Sequence, residues 1–343
     1  MSERLEDARN VLSVEGLTLD LAGGHAQPRL VDDVTFAVPA GGAVALIGES
    51  GCGKTMTAMA VLGLLPAGIR PVAGSVRLGD RELLNRPERE LAGIRGREIG
   101  TIFQEPMSSL DPTMTVGDQI AESRRLHLGE RRGTARSRAR ELLDRVGIPD
   151  AARRLRAYPH ELSGGMQQRV MIAAAISCDP RLVIADEPTT ALDVTIQAEI
   201  LGLLRDLQRD SGVAVLLVTH DLGVVADFCE DVVVMYAGHV VERSPVTDLF
   251  ASARHPYTRA LLRSVPAGRA PRTPLDVIPG RVPSAGDFPA GCRFRPRCEY
   301  AVDACARTEP VEARLDGGTG GHAARGTRCL RVAAGEIELQ EAR

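Results

Sequence analysis

Short apolar runs alternate with amphipathic stretches along the first 245 residues of the chain. Apolar and polar positions alternate over 11–21 and 34–38, which predicts half-buried strands. Mainly apolar runs that predict further strands cover residues 43–47, 99–104, 182–185, 213–218 and 232–236. Helical periods follow two of these runs, at 54–65 and 194–207. Because buried strands that alternate with helices are typical of parallel sheets, we predict an α/β fold.

Two regions depart from this pattern. Residues 118–158 are rich in arginine and helical in period, which predicts helices with solvated charged faces. Six prolines between Pro266 and Pro289 favour an extended segment, and four of the seven cysteines come after it. We therefore predict a first part over 1–245 and a second, smaller part over 246–343.

Composition limits the classes of function. Apolar residues make up 44% of the chain and charged residues 25%, as in ordinary globular proteins, and the net charge of -3 gives no reason to expect a nucleic-acid partner. No apolar run reaches the roughly 18–20 residues that a membrane-spanning helix needs. The first ten residues are charged and lack the apolar core of a signal peptide. We expect a cytosolic chain that does not bind nucleic acid.

The single lysine of the chain, among 42 basic residues, lies in a glycine-rich segment between a predicted strand and a predicted helix. The segment fits the phosphate-loop pattern G-x-x-x-x-G-K-[ST]. Its residues, with Met56 directly after them, are Gly48, Glu49, Ser50, Gly51, Cys52, Gly53, Lys54 and Thr55. Backbone N–H groups of such a loop point at phosphate oxygens, and the helix N-terminus adds a positive dipole end. We predict that Lys54 binds the β- and γ-phosphates of a nucleotide and that the Thr55 hydroxyl binds Mg²⁺.

Two acids follow the predicted strand over 182–185. Asp186 can hold the magnesium ion, directly or through water, and Glu187 would lie where a water attacks the γ-phosphate. A pair of solvated acids at a strand end is the alternative, and the phosphate loop makes it the weaker one. We therefore predict ATP hydrolysis, with Glu187 as general base or water-positioning residue.

The segment LSGGMQQR over 162–169 resembles the signature motif of ATP-binding cassette (ABC) proteins. The resemblance covers residues 11–245. It implies a P-loop ATPase core with an antiparallel β subdomain and an inserted helical subdomain at about 107–176. In the family this motif closes over ATP that a partner subunit holds, so hydrolysis needs a dimer. The residues that the resemblance assigns to this contact are Ser163, Gly164, Gly165 and Gln167.

Three more positions match the family in chain order. Gln104 resembles the glutamine that contacts magnesium and senses the membrane subunits, and Asp193 ends a segment that resembles the loop crossing the dimer interface. His220 resembles the switch histidine that contacts the γ-phosphate and is assigned to catalysis with Glu187.

One feature departs from the family. No aromatic residue precedes Phe36, and Leu21 stands where an aromatic side chain usually stacks on adenine. We therefore predict weaker discrimination of ATP from GTP than in cassettes that have the aromatic residue.

The details of these motifs indicate a transporter. Five segments resemble the D-type ATPase of dipeptide and oligopeptide importers. They are MQQRVMIA over 166–173, TTALDVTIQ over 189–197, and HPYT, IPG and GCRF in the tail. The resemblance implies a second ATPase as heterodimer partner, two transmembrane permease subunits, an external peptide-binding protein and a peripheral position on the cytoplasmic face of the membrane. Another cargo, such as nickel, an opine or an exported peptide, stays open. A soluble cassette ATPase is a further alternative, although the sequence lacks a second cassette, a long coiled coil and a basic surface.

The four tail cysteines have the spacing C-x5-C-x6-C-x23-C and are Cys292, Cys298, Cys305 and Cys329. Disulfides are rare in the cytosol, and the C-x2–4-C knuckles of structural zinc sites are absent, whereas wider spacing suits an iron–sulfur cluster. Free buried cysteines are the alternative. The resemblance to peptide importers implies a structural [4Fe-4S] cluster, with Zn²⁺ as the second choice. We expect the nearby arginines to offset the negative charge of such a site, and these are Arg293, Arg295, Arg297 and Arg328.

Overall fold

The structure, a computed structural model, describes residues 10–22, 28–190, 193–265, 276–315 and 325–339. In these ranges the strands are β1 (Asn10–Leu21), β2 (Arg29–Pro39), β3 (Ala43–Ile47), β4 (Ile69–Leu78), β5 (Arg81–Glu82), β6 (Ile99–Ile102), β7 (Leu182–Asp186), β8 (Ala214–Thr219), β9 (Asp231–Tyr236), β10 (His239–Pro245), β11 (Ala313–Arg314) and β12 (Gly326–Thr327). The helices are α1 (Lys54–Leu62), α2 (Glu88–Ala92), α3 (Pro106–Ser109), α4 (Val116–Leu128), α5 (Arg132–Arg145), α6 (Ala151–Arg154), α7 (Gly164–Ala175), α8 (Val194–Ser211), α9 (Leu222–Phe228), α10 (Val246–Ala251), α11 (Pro256–Arg263), α12 (Ala304–Arg307) and α13 (Leu330–Ala333).

The chain forms two compact units. The first unit comprises the chain up to Leu12 with Val38–Gly42 and Asn85–Val218, and the second comprises Ser13–Ala37, Ala43–Leu84 and Thr219–Arg343. The phosphate loop and the cysteine tail therefore belong to the same unit. The two-part division at residue 245, drawn from the sequence, does not coincide with these units and stays a prediction.

The first unit contains parallel strands and most of the long helices. Strand β7 lies between β6 and β8 and is parallel to both. All residues of β8 and all but the last of β7 are buried, because aliphatic side chains stand on both faces of a covered parallel sheet. Helices α4, α5 and α7 pack on one another in this unit. The 118–158 stretch is helical, as its period predicts.

The second unit is built around the fully buried strand β3, which is parallel to β9. Strand β10 is antiparallel to β9, and β12 and β11 continue this sheet with antiparallel pairs. A separate sheet has the order β2-β1-β4-β5. The tail is therefore joined to β10 by the pairing of Glu242 with Thr327 and of Arg243 with Gly326.

These elements confirm the α/β prediction and shift several of its boundaries. The helix predicted over 54–65 ends at Leu62, because Gly63 adopts a left-handed conformation and caps it. The strand predicted over 99–104 ends at Ile102. The tail begins with two helices, α10 and α11, that no pattern in the sequence predicts. Of the proline-rich segment, residues 276–283 contain neither helix nor strand, whereas Pro266 and its neighbours to residue 275 lie outside the described residues.

Within the described ranges, no helix combines the length and the apolar character that crossing a bilayer requires.

Candidate nucleotide site and cysteine site

The phosphate loop connects β3 to α1 in the second unit. Gly48 has φ 151°, and a Cβ atom there would lie 2.2 Å from the carbonyl oxygen of Met235, so only glycine fits. Gly53, the residue before α1, has φ 107° and also requires glycine. Lys54 is buried, and its Nζ donates to the carbonyl oxygens of Gly48 at 2.7 Å and Glu49 at 3.2 Å. The loop therefore curls around the ammonium group.

Cys52 fills the interior of this loop. Its side chain is fully buried, and burial raises the pKa of the thiol, so the sulfur is neutral. Its carbonyl oxygen accepts a hydrogen bond from the Gly238 N–H at 2.9 Å. Cys52 is thus a small packing residue in the loop, whereas Ser50 and Gly51 at the loop tip are exposed.

The acid pair at the end of β7 has a strained backbone and polar neighbours. Glu187 has φ 48°, a left-handed conformation that non-glycine residues rarely adopt outside functional sites. Its Oε2 accepts hydrogen bonds from Gln104 Nε2 at 3.0 Å and from Thr190 Oγ1 at 2.8 Å. Two of the predicted residues, Gln104 and Glu187, are therefore in direct contact, and Thr190 is a positioning contact that the sequence did not indicate.

The signature motif begins helix α7. Ser163 caps the helix by accepting a hydrogen bond from the Met166 N–H at 3.4 Å. Ser163 and Gly164 are exposed, and a Cβ atom at Gly164 would meet no atom within 4 Å. No contact inside the described chain therefore explains glycine at 164. The open space fits the approach of a group from outside.

Two glutamines of the motif are buried. Gln167 donates to the carbonyl oxygens of Pro159 and Leu162, so its amide holds the turn before α7. This position gives Gln167 a structural contact instead of the exposed location expected of a nucleotide ligand. Gln168 donates to the carbonyl oxygen of Pro188 at 2.6 Å and so connects the signature helix to the segment after Glu187. Only the fold reveals this link, since its partners are 20 residues apart.

The remaining predicted residues lie at element ends. Asp193 caps α8 by accepting from the Ile196 N–H at 2.9 Å, and residues 191–192 before it lie outside the described residues. His220 follows β8 and is exposed. Leu21 ends β1 with 39% of its surface exposed.

The four tail cysteines surround one cavity, together with the apolar side chains of Phe294 and Leu330. All seven cysteines of the chain are free thiols. Burial raises the pKa of Cys298 to about 12, and it also raises the pKa of Cys292 and Cys329, with the neighbouring sulfurs adding to the effect. Thiols in this cavity become thiolates when a cation compensates their charge.

Three arginines next to these cysteines point to carboxylates of the same unit. Each stands directly beside a cysteine in the sequence, and the pairs are Arg293 with Asp32 at 2.5 Å, Arg297 with Glu49 at 2.9 Å and Arg328 with Asp33 at 2.9 Å. The expectation that all four arginines offset the charge of the cysteine site is therefore wrong for these three. Arg295 alone of the four lines the cysteine cavity.

Asp32, His239 and Glu309 form a group that resembles a metal-ligand set. His239 Nε2 lies 3.2 Å from Asp32 and 3.4 Å from Glu309, and Arg293 Nη2 contacts both carboxylates as well. The hydrogen bond from His239 and the charge of Arg293 hold the pKa of Asp32 well below its usual range, although burial raises it. The guanidinium supplies the positive charge here, so this group is an ion-pair network.

Known sequence families match both parts of the chain. The family described as ABC transporter matches residues 31–190, and the family described as oligopeptide/dipeptide transporter, C-terminal region, matches residues 241–305. An ATP-binding cassette dimer in a post-hydrolysis state bound to ADP and Pi superimposes with a TM-score of 0.62 at 28% identity, covering 68% of this chain and 98% of that one. These matches define the class of the protein as an ABC-type ATPase.

Relatives at higher identity narrow the class. The dipeptide transport ATP-binding protein DppD of Escherichia coli is 46% identical over 88% of this chain and 92% of its own length. The oligopeptide transport ATP-binding protein AppD of Bacillus subtilis is 49% identical over 82% and 86%. A putative peptide import ATP-binding protein of Brucella abortus is 48% identical over 94% and 97%. The chain belongs to the ATP-binding proteins of dipeptide and oligopeptide ABC transporters.

Proposed function

We propose that this chain is the ATP-hydrolysing subunit that powers import of dipeptides and oligopeptides, working as a heterodimer with a second ATPase. The observation that carries the proposal is the presence, in one compact unit, of a phosphate loop and the C-terminal region typical of peptide transporters. Peptide cargo follows from that region and from the relatives. The ATPase chemistry follows from the phosphate loop, Glu187 and the signature motif.

Nucleotide binding is assigned to the phosphate loop. Lys54, already directed at loop carbonyls, would exchange these for the β- and γ-phosphates of ATP. The sequence motifs and the family resemblance assign Mg²⁺ to oxygen donors of Thr55, Gln104 and Asp186, and Mg²⁺, which prefers hard oxygen ligands, would neutralise charge on the phosphates when bound. His220, exposed at the end of β8, would contact the γ-phosphate. Leu21 would touch the adenine by apolar contact.

Hydrolysis is assigned to Glu187. The hydrogen bonds from Gln104 and Thr190 fix one oxygen of its carboxylate, which orients the group for a water molecule. Because Gln104 shares this contact, a movement of Gln104 changes the position of the base. The family places the membrane subunits at this glutamine, and the neighbouring Phe103 and Met107 are exposed apolar side chains, 43% and 81%, that suit a permease helix.

Closure over a partner's ATP is assigned to the signature motif and to Asp193. The exposed Ser163 and Gly164 offer backbone N–H groups at the start of α7, where an anion is favoured. Val194, next to Asp193, is 83% exposed. An apolar residue that a partner subunit covers is expected to be exposed when the chain is considered alone. The assembly includes two permease subunits and an external peptide-binding protein, and the chain then lies on the cytoplasmic face of the membrane.

The tail cysteines are proposed to hold a [4Fe-4S] cluster with a structural role. The cavity that they surround fits a metal group, because four thiolates converge on it. The cysteine spacing favours the cluster over zinc, since the C-x2–4-C knuckles of structural zinc sites are absent.

Reconstitution tests the transport function. The chain is purified with its second ATPase and permeases and placed in proteoliposomes, and uptake of labelled dipeptides and oligopeptides is measured with ATP hydrolysis. We expect peptide-dependent uptake and an ATPase rate that rises with loaded binding protein. The matched control is Asp210→Asn, an exposed acid at the end of α8 that should leave both rates unchanged. Hydrolysis that no peptide changes, together with uptake of nickel or an opine, would contradict peptide import.

Metal analysis tests the cysteine site. Protein purified without oxygen is assayed for iron, acid-labile sulfide and zinc, and for absorbance near 400 nm. We expect iron and sulfide in stoichiometric amounts, and we expect both to be lost in Cys305→Ser. Cys305 is chosen because, unlike the other three cysteines, it has no arginine directly beside it in the sequence. Zinc at one ion per chain without iron would contradict the cluster.

A further inference from the structure

We propose that Arg297 and Tyr257 of the tail are positioning residues that hold the phosphate loop in its ATP-binding form through Glu49. The inference rests on the proposed nucleotide function of the loop. The residues involved all belong to the second unit. Arg297 and Glu49 are 248 residues apart in the sequence, and Tyr257 and Glu49 are 208 residues apart.

Arg297 binds both carboxylate oxygens of Glu49. Its Nη1 donates to Oε1 at 2.9 Å and its Nη2 to Oε2 at 3.1 Å, so the pair is bidentate. The Arg297 side chain is only 5% exposed, whereas that of Glu49 is 29% exposed. Its Nε donates to the carbonyl oxygen of Pro279 at 2.7 Å, which fixes the plane of the guanidinium. The arginine is therefore a rigid, buried clamp, and Glu49 is its more accessible partner.

Tyr257 holds the backbone of the same residue. The Glu49 N–H donates to the Tyr257 hydroxyl oxygen at 2.9 Å, and the tyrosine is fully buried. Its ring packs against Tyr236 and Phe294, with ring centroids 4.7 and 5.4 Å away. Side chain and main chain of Glu49 are thus held by two different elements of the tail, α11 and the turn before Cys298.

The charge of Glu49 explains why this clamp affects ATP. A phosphate loop binds anions, so a carboxylate within it repels the ligand unless a cation pairs with it. Arg297 supplies that cation. The carbonyl oxygen of Glu49 also accepts from Lys54 Nζ, so movement of Glu49 displaces the lysine that binds the phosphates. Loss of Arg297 should therefore expose ATP to an unpaired negative charge and loosen the loop.

A charge-rescue cycle tests the inference. Full-length wild type, Arg297→Gln, Glu49→Gln and the double variant are titrated with a fluorescent ATP analogue and Mg²⁺. We expect Arg297→Gln to raise the Kd at least about fivefold, because a close unpaired charge in this setting has an effect of that order. Glu49→Gln should lower the Kd, because Arg297 then faces the phosphates without its carboxylate partner. The double variant should bind close to wild type, since neither charge remains.

Controls separate this role from general damage. Arg263→Gln is the matched control, since Arg263 also belongs to the tail but pairs with the exposed acids Asp276 and Glu299. It should bind ATP as wild type does. In the reconstituted transporter, Arg297→Gln should raise the KM for ATP more than it lowers kcat, and Arg297→Lys should restore part of the affinity. Tyr257→Phe, which removes the hydroxyl acceptor, should raise the Kd by a smaller factor.

The possible outcomes are distinct. A double variant that binds as weakly as Arg297→Gln means that the arginine acts only as structural support, and the inference is wrong. Equal Kd values for wild type and Arg297→Gln also overturn it and leave the proposed nucleotide function intact. Wild-type protein that binds no ATP refutes the proposed function, and this inference with it.

Discussion

The stability of the second unit should depend strongly on one buried ion pair. Asp32 Oδ2 accepts from Arg293 Nη2 at 2.5 Å and lies 3.2 Å from His239 Nε2. The side chains of Asp32 and Arg293 are only 9% and 10% exposed. Asp32→Asn keeps the size of the residue and removes its charge. It leaves the guanidinium buried beside a histidine with weaker compensation.

The expected loss is large because removing one partner of a buried pair leaves a charge that water cannot reach. Such losses are about 3–5 kcal/mol, a sizeable share of the roughly 5–15 kcal/mol that stabilises a typical domain. The carboxylate of Glu309 remains near Arg293, so we place Asp32→Asn at the lower end, about 3 kcal/mol. Asp32→Asn with Arg293→Met removes both charges and should cost less than the single change.

The assay is urea unfolding followed by far-UV circular dichroism, at equal metal content in all samples. The control is Glu141→Gln, which breaks the pair with Arg138, where both side chains are 57% exposed, and should cost less than about 0.5 kcal/mol. A loss below about 1 kcal/mol for Asp32→Asn would refute the reasoning. So would a double variant that loses the sum of the two single changes.

Other predictions concern the nucleotide site and pH. Lys54→Arg should abolish hydrolysis, because a forked guanidinium does not fit where a compact ammonium meets the phosphates. The fold and the metal content should stay unchanged. Measurements of the ATPase rate and the iron content check this. Glu187→Gln should lower kcat at least about 100-fold and preserve ATP binding, as measured by single-turnover hydrolysis and titration. Leu21→Tyr should increase the preference for ATP over GTP; equal preference in both proteins would contradict adenine contact at this position. Burial raises the pKa of Glu242 to about 7. An acid with a raised pKa stabilises the fold at low pH, so the urea midpoint should fall as pH rises from about 5 to 8. A Glu242→Gln protein should lack that fall.

The local conformation of the candidate nucleotide site could be predicted from the sequence. A phosphate loop and a helix cap are contiguous segments, so residue type and spacing define them. Gly48, Gly53 and Ser163 adopt the conformations that their patterns require, and Lys54 lies inside the loop. Strand and helix types were also predictable from period, whereas their ends depended on local features such as the left-handed Gly63.

Contacts between distant segments could not be predicted. Asp32 and Arg293 are 261 residues apart, and nothing in either segment indicates the other. The same holds for Gln168 at the carbonyl oxygen of Pro188, which depends on how α7 packs in the first unit. The prediction for the tail arginines failed for a related reason. Their nearness to cysteines in the sequence suggested that they offset the negative charge of the cysteine site. In the fold, nearby carboxylates bind three of those arginines.

The placement of these arginines affects how any substitution in the cysteine site must be interpreted. Cys292, Cys298 and Cys329 each adjoin an arginine that binds a carboxylate on β2 or in the phosphate loop. A serine at one of these positions removes a thiolate and also releases the turn that carries the clamp. Weaker ATP binding in such a variant is therefore no proof that a cluster acts on the nucleotide. Cys305 lacks such a neighbour, so Cys305→Ser isolates the effect of the metal site, and Arg297→Gln isolates the effect of the clamp.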